Sequence, residues 1–256
     1  MIDLHCHVLP GIDDGPETIE GSLALARAAS AAGTHTIVAT PHVSAHYPNE
    51  PDTIARLVAE LNERLVAEGI AVEVRAGAEI ALTSALELPA EQLARLTLGG
   101  GRWLLIEPPF TPTATGIDAM LVDIARGGHG VVIAHPERCP AFHRDRTVLE
   151  FLVRAGMLTS ITAGSLVGRF GGEVRRFALA LVRDGLVHNV ASDAHGATKR
   201  APGMAEELGE AGLRPLAAWL TEEVPAAVLD GGEVPPPPCG AIEALRPRRS
   251  WPWRRR

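Results

Sequence analysis

The sequence predicts an α/β fold in which seven parallel strands close into a distorted, TIM-like barrel. Short apolar runs alternate with helical patterns along most of the chain, and histidine or acidic residues stand where those runs end. Strand–helix alternation is typical of parallel sheets that are covered by helices on both faces. An open doubly wound sheet would share this alternation. The polar strand ends favour the barrel, because the carboxyl ends of barrel strands converge on one mouth.

The strands are predicted from apolar and β-branched runs, and the helices from apolar residues that recur at helical spacing. The sequence GGG at 99–101 comes before a strand, so it indicates a turn and not a dinucleotide-binding loop. The predicted strands are Ile2–His7, Thr36–His42, Val72–Ile80, Trp103–Pro108, Gly130–His135, Leu158–Ala163 and Leu186–Asp193. The predicted helices are Thr18–Ala32, Asp52–Glu68, Ile117–Arg126, Thr147–Ala155 and Val174–Asp184.

Composition indicates a globular protein with one large domain. Apolar residues make up 46% of the 256 residues and charged residues 21%, which fits a sizeable core. We predict that this domain covers residues 1–231 and that the Pro- and Arg-rich residues 232–256 form a disordered tail. The chain has no apolar run of membrane-spanning length, and it begins on a predicted strand, so we expect a cytoplasmic protein.

Charge is distributed unevenly. The last eleven residues hold six arginines and no acid, so the rest of the chain has a formal charge of −13, against −7 for the whole chain. An acidic body disfavours nucleic-acid binding and suits a protein that gathers carboxylates around cations. Two interpretations of the arginine-rich end stay open: a solvated segment, or a weak contact with a membrane surface or an acidic partner. An oligomer is also left open.

The stretch DLHCHVLPGIDDG, residues 3–15, gives the first indication of a metal site. His5 and His7 are two residues apart on a strand, so their side chains share a face. Burying many such groups without partners would cost several kcal/mol per ion, and divalent cations remove that cost. Mixed imidazole and carboxylate ligands suit Mn, Fe, Zn or Co better than Ca or Mg. Asp14, in the loop after this strand, is a further candidate ligand. Those at or just beyond later strand ends are His42, Glu79, Glu107, His135, Asp193 and His195.

Other hydrolase classes lack their required spacing. A cysteine-dependent tyrosine phosphatase needs C-x5-R, but Arg144 follows Cys139 one residue too early. A serine hydrolase would place its nucleophile in GxSxG, and the sequence around Ser165 does not match. No Gly-Lys-Ser/Thr sequence is present, which excludes a Walker-type phosphate loop.

Six motifs together identify a resemblance. HCHxLPGIDDG, TPH, LLIEPPF, IAHPER, TAGSLVGRFG and SDAHxxxxR resemble the PHP superfamily (polymerase and histidinol phosphatase), and within it the CpsB/CapC/YwqE-type tyrosine phosphatases. The match runs from Met1 to about Ala227. The sequence departs from the pattern at Cys6, where serine or threonine is common, and at GATKRAPGM after SDAH.

The resemblance implies a distorted seven-stranded barrel with three divalent metal ions, commonly Mn, with Fe, Zn, Co or Mg as alternatives. It implies phosphate-binding roles for Arg138 and Arg200, and a substrate contact from His46 and Tyr47 is a further hypothesis. The implied ligands are His5, His7, Glu79 and Asp193 for the first ion; Glu79, Glu107 and His135 for the second; and Asp14, His42 and His195 for the third.

The charges of such a site suit a phosphomonoester. Three divalent ions and four carboxylates leave a surplus of two positive charges, which would match a phosphate dianion, and guanidinium groups match phosphate geometry. The resemblance implies a protein-tyrosine phosphatase that acts on a bacterial tyrosine kinase controlling capsule or exopolysaccharide synthesis. Alternatives are a phosphatase for a small phosphoester such as histidinol phosphate, and a regulatory barrel that no longer turns over.

Overall fold

The computed structural model describes residues 1–245. Every strand pairing within this range is parallel. Residues of β1 and β2 are buried throughout, as expected for strands covered on both faces. The strands are β1 (Ile2–Cys6), β2 (Thr36–Ala39), β3 (His42–Val43), β4 (Glu73–Ala76), β5 (Glu79–Ala81), β6 (Trp103–Glu107), β7 (Gly130–Ala134), β8 (Leu158–Thr162) and β9 (Asn189–Ala191).

These strands form two sheets, with the orders β1-β2-β4 and β3-β5-β6-β7-β8-β9. Two of the predicted strands are each broken in the middle, into β2 and β3 and into β4 and β5. The first break contains Pro41, which has no N–H to donate. The second contains Gly77, where a Cβ would lie 2.7 Å from Val38 Cγ1. Each broken strand runs from one sheet into the other and so joins them at one side.

The backbone after β9 joins the sheets at the other side. The Asp193 amide donates to the carbonyl of His5 at 2.8 Å, and the His7 amide donates to the carbonyl of Ala194 at 2.9 Å. Seven strand positions therefore close around one axis, which confirms the predicted distorted barrel. Closure brings the carboxyl ends of β1 and β9 side by side.

Helices cover the outside of this barrel. The five predicted helices correspond to α1, α2, α5, α7 and α9, with ends that differ by one or two residues. The remaining helices have four to seven residues, too short for a periodic pattern in the sequence. The helices are α1 (Ile19–Ala31), α2 (Pro51–Ala67), α3 (Leu82–Glu87), α4 (Ala90–Arg95), α5 (Ile117–Arg126), α6 (Pro140–Arg144), α7 (Arg146–Arg154), α8 (Ala163–Leu166), α9 (Gly172–Arg183), α10 (Ala205–Glu210), α11 (Val224–Asp230) and α12 (Ala241–Leu245).

The segment after α11 contacts the domain. The indole N–H of Trp219 donates to the carbonyl of Pro235 at 2.9 Å, and Ile242 of α12 packs against the core. The domain end at residue 231 and the disordered tail from 232 stay predictions, and the arginine-rich residues 246–256 lie outside the described range. Among residues 1–245, no helix combines the length and the apolar character that crossing a membrane requires.

Candidate metal centre

The end of β1 and the loop after β9 build the first part of the site. His5 and His7 point to the same face, and their Nε2 atoms are 3.3 Å apart. Asp193 Oδ1 lies 3.4 Å from His5 Nε2 and 3.6 Å from His7 Nε2. All three residues are almost fully buried. Three ligand atoms at this separation suit one shared cation.

Glu79, at the start of β5, is the centre of the cluster. Its Oε2 lies 3.1 Å from His5 Nε2 and 3.2 Å from His7 Nε2, and its Oε1 lies 2.8 Å from His135 Nε2. Glu107, at the end of β6, stands 3.6 Å from His135 Nε2. One carboxylate therefore contacts imidazoles from two sides of the barrel mouth, which is the geometry that a bridging ligand requires.

The outer part of the cluster is formed by Asp14, His42 and His195. Asp14 Oδ1 is 3.2 Å from His195 Nε2 and 3.5 Å from His42 Nε2. Asp14 is about half exposed, so this side of the site faces solvent. His42 Nδ1 also lies 3.2 Å from Glu79 Oε2, which links the outer group to the central carboxylate.

The nine side chains fit a group of divalent cations. They form four overlapping sets in which all ligand atoms lie within 4.8 Å of one another. Three sets differ from the implied grouping: His7 joins the outer residues, His42 joins Glu79 and Glu107, and His5 joins Glu79 and His135. Five imidazoles and four carboxylates supply only nitrogen and oxygen donors, the ligands that Mn, Fe, Zn and Co share.

The pKa values of this cluster shift in opposite directions. Burial and the charge of Glu79 raise the pKa of Glu107 to about 7. Burial alone would also raise the pKa of Glu79, but the charge of His5 and hydrogen bonds from histidines hold it well below its usual range. Although burial disfavours a charged ring, hydrogen bonds to Asp13 and Glu79 raise the pKa of His7 to about 10. Without a metal, the surrounding histidines offset the charge of the buried carboxylates. Divalent cations would offset that charge directly.

Asp13 fixes the orientation of His7. Its Oδ2 accepts from His7 Nδ1 at 2.7 Å and from the His42 amide at 3.1 Å, and its Oδ1 accepts from the Gly15 amide at 2.9 Å. A Cβ at Gly15 would lie 2.5 Å from the His7 carbonyl oxygen, so only glycine allows this turn. This arrangement leaves Nε2 of His7 as the ligand atom, so Asp13 supports a ligand and is not one itself.

Backbone strain is concentrated at the same place. His135, Asp193 and Arg200 have φ values of 29°, 50° and 50°. Non-glycine residues in this region cost about 1–3 kcal/mol each and persist where surrounding structure holds them. All three are candidate site residues, so the strain marks a site in which side-chain placement outweighs backbone preference.

Arg138 and Arg200 converge on one oxygen of Asp193. Arg138 Nη1 donates to Asp193 Oδ2 at 2.7 Å, and Arg200 Nη2 donates to the same oxygen at 2.5 Å. The Arg138 guanidinium lies between two aromatic rings, 5.2 Å from the centre of Phe110 and 4.6 Å from that of Phe170. These two guanidinium groups lie beside the histidine and carboxylate cluster, where they could bind an anion.

The two predicted substrate contacts lie at the edge of the site. Tyr47 stacks on His42 with ring centres 5.6 Å apart, whereas His46 is exposed and meets Tyr47 edge-on. Phe110 and Phe170 were not predicted as site residues. Phe110 ends the motif LLIEPPF and Phe170 lies in TAGSLVGRFG, but an aromatic residue in such a motif gives no signal that distinguishes a site from a core position.

Glu137, whose role could not be inferred from sequence, joins two parts of the barrel mouth. Its fully buried Oε1 accepts from the Thr162 amide at 2.9 Å and from Ser165 Oγ at 2.6 Å. It therefore ties the turn that carries His135 and Arg138 to the end of β8. Burial raises the pKa of Glu137.

Replacing Glu137 with alanine is expected to lower the free energy of unfolding by about 1–3 kcal/mol, because two buried donors lose their acceptor. Glu137→Gln keeps an acceptor oxygen and is expected to lose less. Urea unfolding of both variants and the wild type measures the difference. Equal stability of Glu137→Ala and Glu137→Gln would contradict this role.

Known proteins share both the sequence and the fold. Residues 1–210 match the family model for capsular polysaccharide synthesis, CpsB/CapC. The chain is 39% identical over 201 residues to the tyrosine-protein phosphatase YwqE of Bacillus subtilis (strain 168), covering 78% of this chain and 79% of that protein. It is 34% identical over 214 residues to the tyrosine-protein phosphatase CpsB of Streptococcus pneumoniae, covering 80% and 86%.

Solved structures agree with this relationship. A crystal structure from work on YwqE of Bacillus subtilis and CpsB of Streptococcus pneumoniae, described as unique metal-dependent tyrosine phosphatases, superposes with a TM-score of 0.81 at 35% identity. The superposition covers 92% of this chain and 97% of that one. Dihydropyrimidinase from Brevibacillus agri NCHU1002 has a TM-score of 0.55 at 13% identity, covering 92% and 72%, and shares the fold alone. On its sequence and its architecture, the chain belongs to the CpsB/CapC family of capsular polysaccharide synthesis proteins.

Proposed function

We propose that this chain is a metal-dependent protein-tyrosine phosphatase in capsule or exopolysaccharide synthesis. The observation that carries the proposal is the convergence of Arg138 and Arg200 on Asp193, which also faces His5 and His7 in the histidine and carboxylate cluster. This arrangement puts anion-binding groups directly beside candidate metal ligands. We further propose that the substrate is phosphotyrosine on a bacterial tyrosine kinase, and that its phosphate ester is hydrolysed in the cytoplasm. Relatives that carry the name tyrosine-protein phosphatase support the reaction type.

Three divalent ions, with Mn as the proposed metal, would occupy the cluster. The inner ion would be held by residues from the end of β1, the start of β5 and the loop after β9, and Glu79 would also belong to the ligand set of the second. The complete proposed ligand set is His5, His7, Glu79 and Asp193; Glu79, Glu107 and His135; and Asp14, His42 and His195. Bound ions of this kind would supply Lewis acidity for the attacking water and for the phosphoryl oxygens.

The chain's own residues would bind and orient the phosphate. Arg138 and Arg200 would donate to nonbridging oxygens, a role that suits planar guanidinium groups. The rings of Phe110 and Phe170 pack against the Arg138 guanidinium, which would reduce the side-chain freedom that substrate binding must remove. The tyrosine leaving group has a pKa of about 10 as a free phenol, so it departs with less proton donation than an alkoxide needs. A tyrosine ester therefore needs less help from a general acid, which is consistent with a site without an obvious dedicated acid.

Metal removal tests the proposal. The purified protein is expected to contain about three divalent ions per chain, by the proposed ligand count. Chelation should abolish hydrolysis of a phosphotyrosine peptide, and Mn should restore it, because the phosphate charge would otherwise meet uncompensated carboxylates. Metal analysis and a phosphate-release assay on the same samples measure both effects, with His135→Ala as a variant that disturbs the ligand set.

The substrate panel separates the remaining alternatives. Metal binding with turnover of small alkyl phosphates, but not of the peptide, would leave the metal site intact and overturn the tyrosine phosphatase. Metal binding with no turnover of any phosphoester would favour a regulatory barrel. A protein without bound metal, unaffected by chelation and by added Mn, would contradict the metal centre itself.

A further inference from the structure

A cavity of about 310 Å³ opens beside Arg200, one of the two arginines that contact Asp193. It lies between the segment that follows β8, represented by Gly164 and Phe170, and the segment that follows β9, represented by Ala201. Asp193 and Arg200 line its inner end. A phosphate held by the arginines would therefore have this cavity next to it.

The walls of the cavity include flat and small side chains. Phe170 is half-buried, Gly164 and Ala201 add little bulk, and Arg169 and Lys199 bring positive charge to the lining. A Cβ at Gly164 would lie 3.1 Å from Arg169 Cδ and 3.4 Å from Phe170 Cε2, so a side chain at this position would crowd both residues. An apolar cavity of about 150 Å³ is enough to bind benzene. The space is thus large enough for a phenyl group.

We propose that this cavity receives the phenol ring of the phosphotyrosine side chain and that Phe170 determines the preference for aryl over alkyl phosphates. The inference rests on the proposed phosphatase function and deepens it. In phosphotyrosine the ester oxygen is bonded directly to the ring. If Arg138 and Arg200 bind the phosphate, the ring therefore lies close to Arg200, which lines the cavity. Phosphoserine is too short to fill the space, so it would gain no contact with Phe170.

Two phenylalanines provide a matched pair for the test. Phe110 and Phe170 both lie against the Arg138 guanidinium, but of the two only Phe170 is among the residues lining this cavity. Loss of either ring would release Arg138 and weaken every phosphoester alike. Loss of Phe170 would also remove a wall of the cavity and would weaken aryl esters selectively.

The experiment compares phenyl phosphate with ethyl phosphate in the Mn-loaded protein. The quantity measured is the ratio of kcat/KM for the two esters, relative to wild type, because intrinsic leaving-group reactivity then cancels. We expect Phe170→Ala to lower this ratio about tenfold or more, the size of effect that an apolar pocket contributes. Phe110→Ala is expected to leave the ratio within about twofold of wild type. Ala201→Leu, which fills the cavity from the opposite wall, should lower the ratio as Phe170→Ala does.

Inhibition constants for phenylphosphonate and ethylphosphonate provide a readout that involves no turnover. The same variants should lose selectivity for the phenyl compound. An unchanged ratio in Phe170→Ala and Ala201→Leu, with both folded by circular dichroism, would overturn the proposal, as would a ratio governed by Phe110 instead. These outcomes differ from failure of the proposed function, in which the wild type itself would hydrolyse neither phosphotyrosine peptide nor phenyl phosphate.

Discussion

Glu79→Gln is expected to lower kcat/KM for a phosphotyrosine peptide about 10³-fold or more, equivalent to about 4 kcal/mol in the barrier. The carboxylate contacts four imidazole nitrogens, on His5, His7, His42 and His135, at 2.8–3.2 Å. Glutamine preserves the shape but removes the negative charge. It also turns an N–H₂ donor toward nitrogens whose lone pairs a metal would need. Bound metal is expected to fall below the wild-type content.

The test pairs activity with metal content. Glu79→Gln and Glu63→Gln are compared with wild type by metal analysis, phosphate release and thermal unfolding. Glu63 is an exposed glutamate on α2 and changes the net charge by the same amount. Wild-type metal content together with wild-type turnover in Glu79→Gln would show that the central carboxylate is not needed. A folded variant that loses both supports its bridging role.

Much of the fold could be predicted because parallel barrels leave a simple pattern. Apolar runs such as 103–107 and 130–134 are strands in the structure, and their polar ends meet at one mouth. The breaks at Pro41 and Gly77 could not be predicted, since each depends on how a strand passes between two sheets. Helices of four to seven residues were also missed, because they hold fewer than two turns and show no period.

The site was predictable in its residues but less so in its arrangement. Ligand types and strand ends identified the nine candidates, and all nine enter the clustered sets. The contact between His42 Nδ1 and Glu79 Oε2, at 3.2 Å, could not be predicted from the sequence pattern, because it depends on the break before β3. Nor does it indicate that Phe170, eight residues after β8, returns to pack on Arg138. Such contacts arise from loop paths, which have no periodic signal.

Replacement of Arg138 or Arg200 with alanine is expected to lower kcat/KM for a phosphotyrosine peptide by about 10²–10³-fold, the effect of losing one charged donor to a developing anion. Lysine is expected to restore little at position 138. An ammonium group has no planar fork to match phosphate, and it offers no flat surface for the rings of Phe110 and Phe170, which lie against the guanidinium. The inhibition constant of inorganic phosphate should rise in each variant, which separates anion binding from turnover.

The double variant tests whether the two arginines act as a unit. Both donate to Asp193 Oδ2, so removal of one arginine changes the position of the other and the charge around it. Groups with a shared partner are non-additive; we therefore expect the double variant to lose less than the product of the single losses. Full additivity would mean that the arginines contact the phosphate independently. Wild-type phosphate affinity in both single variants would mean that the anion is held elsewhere, by the metal cluster alone.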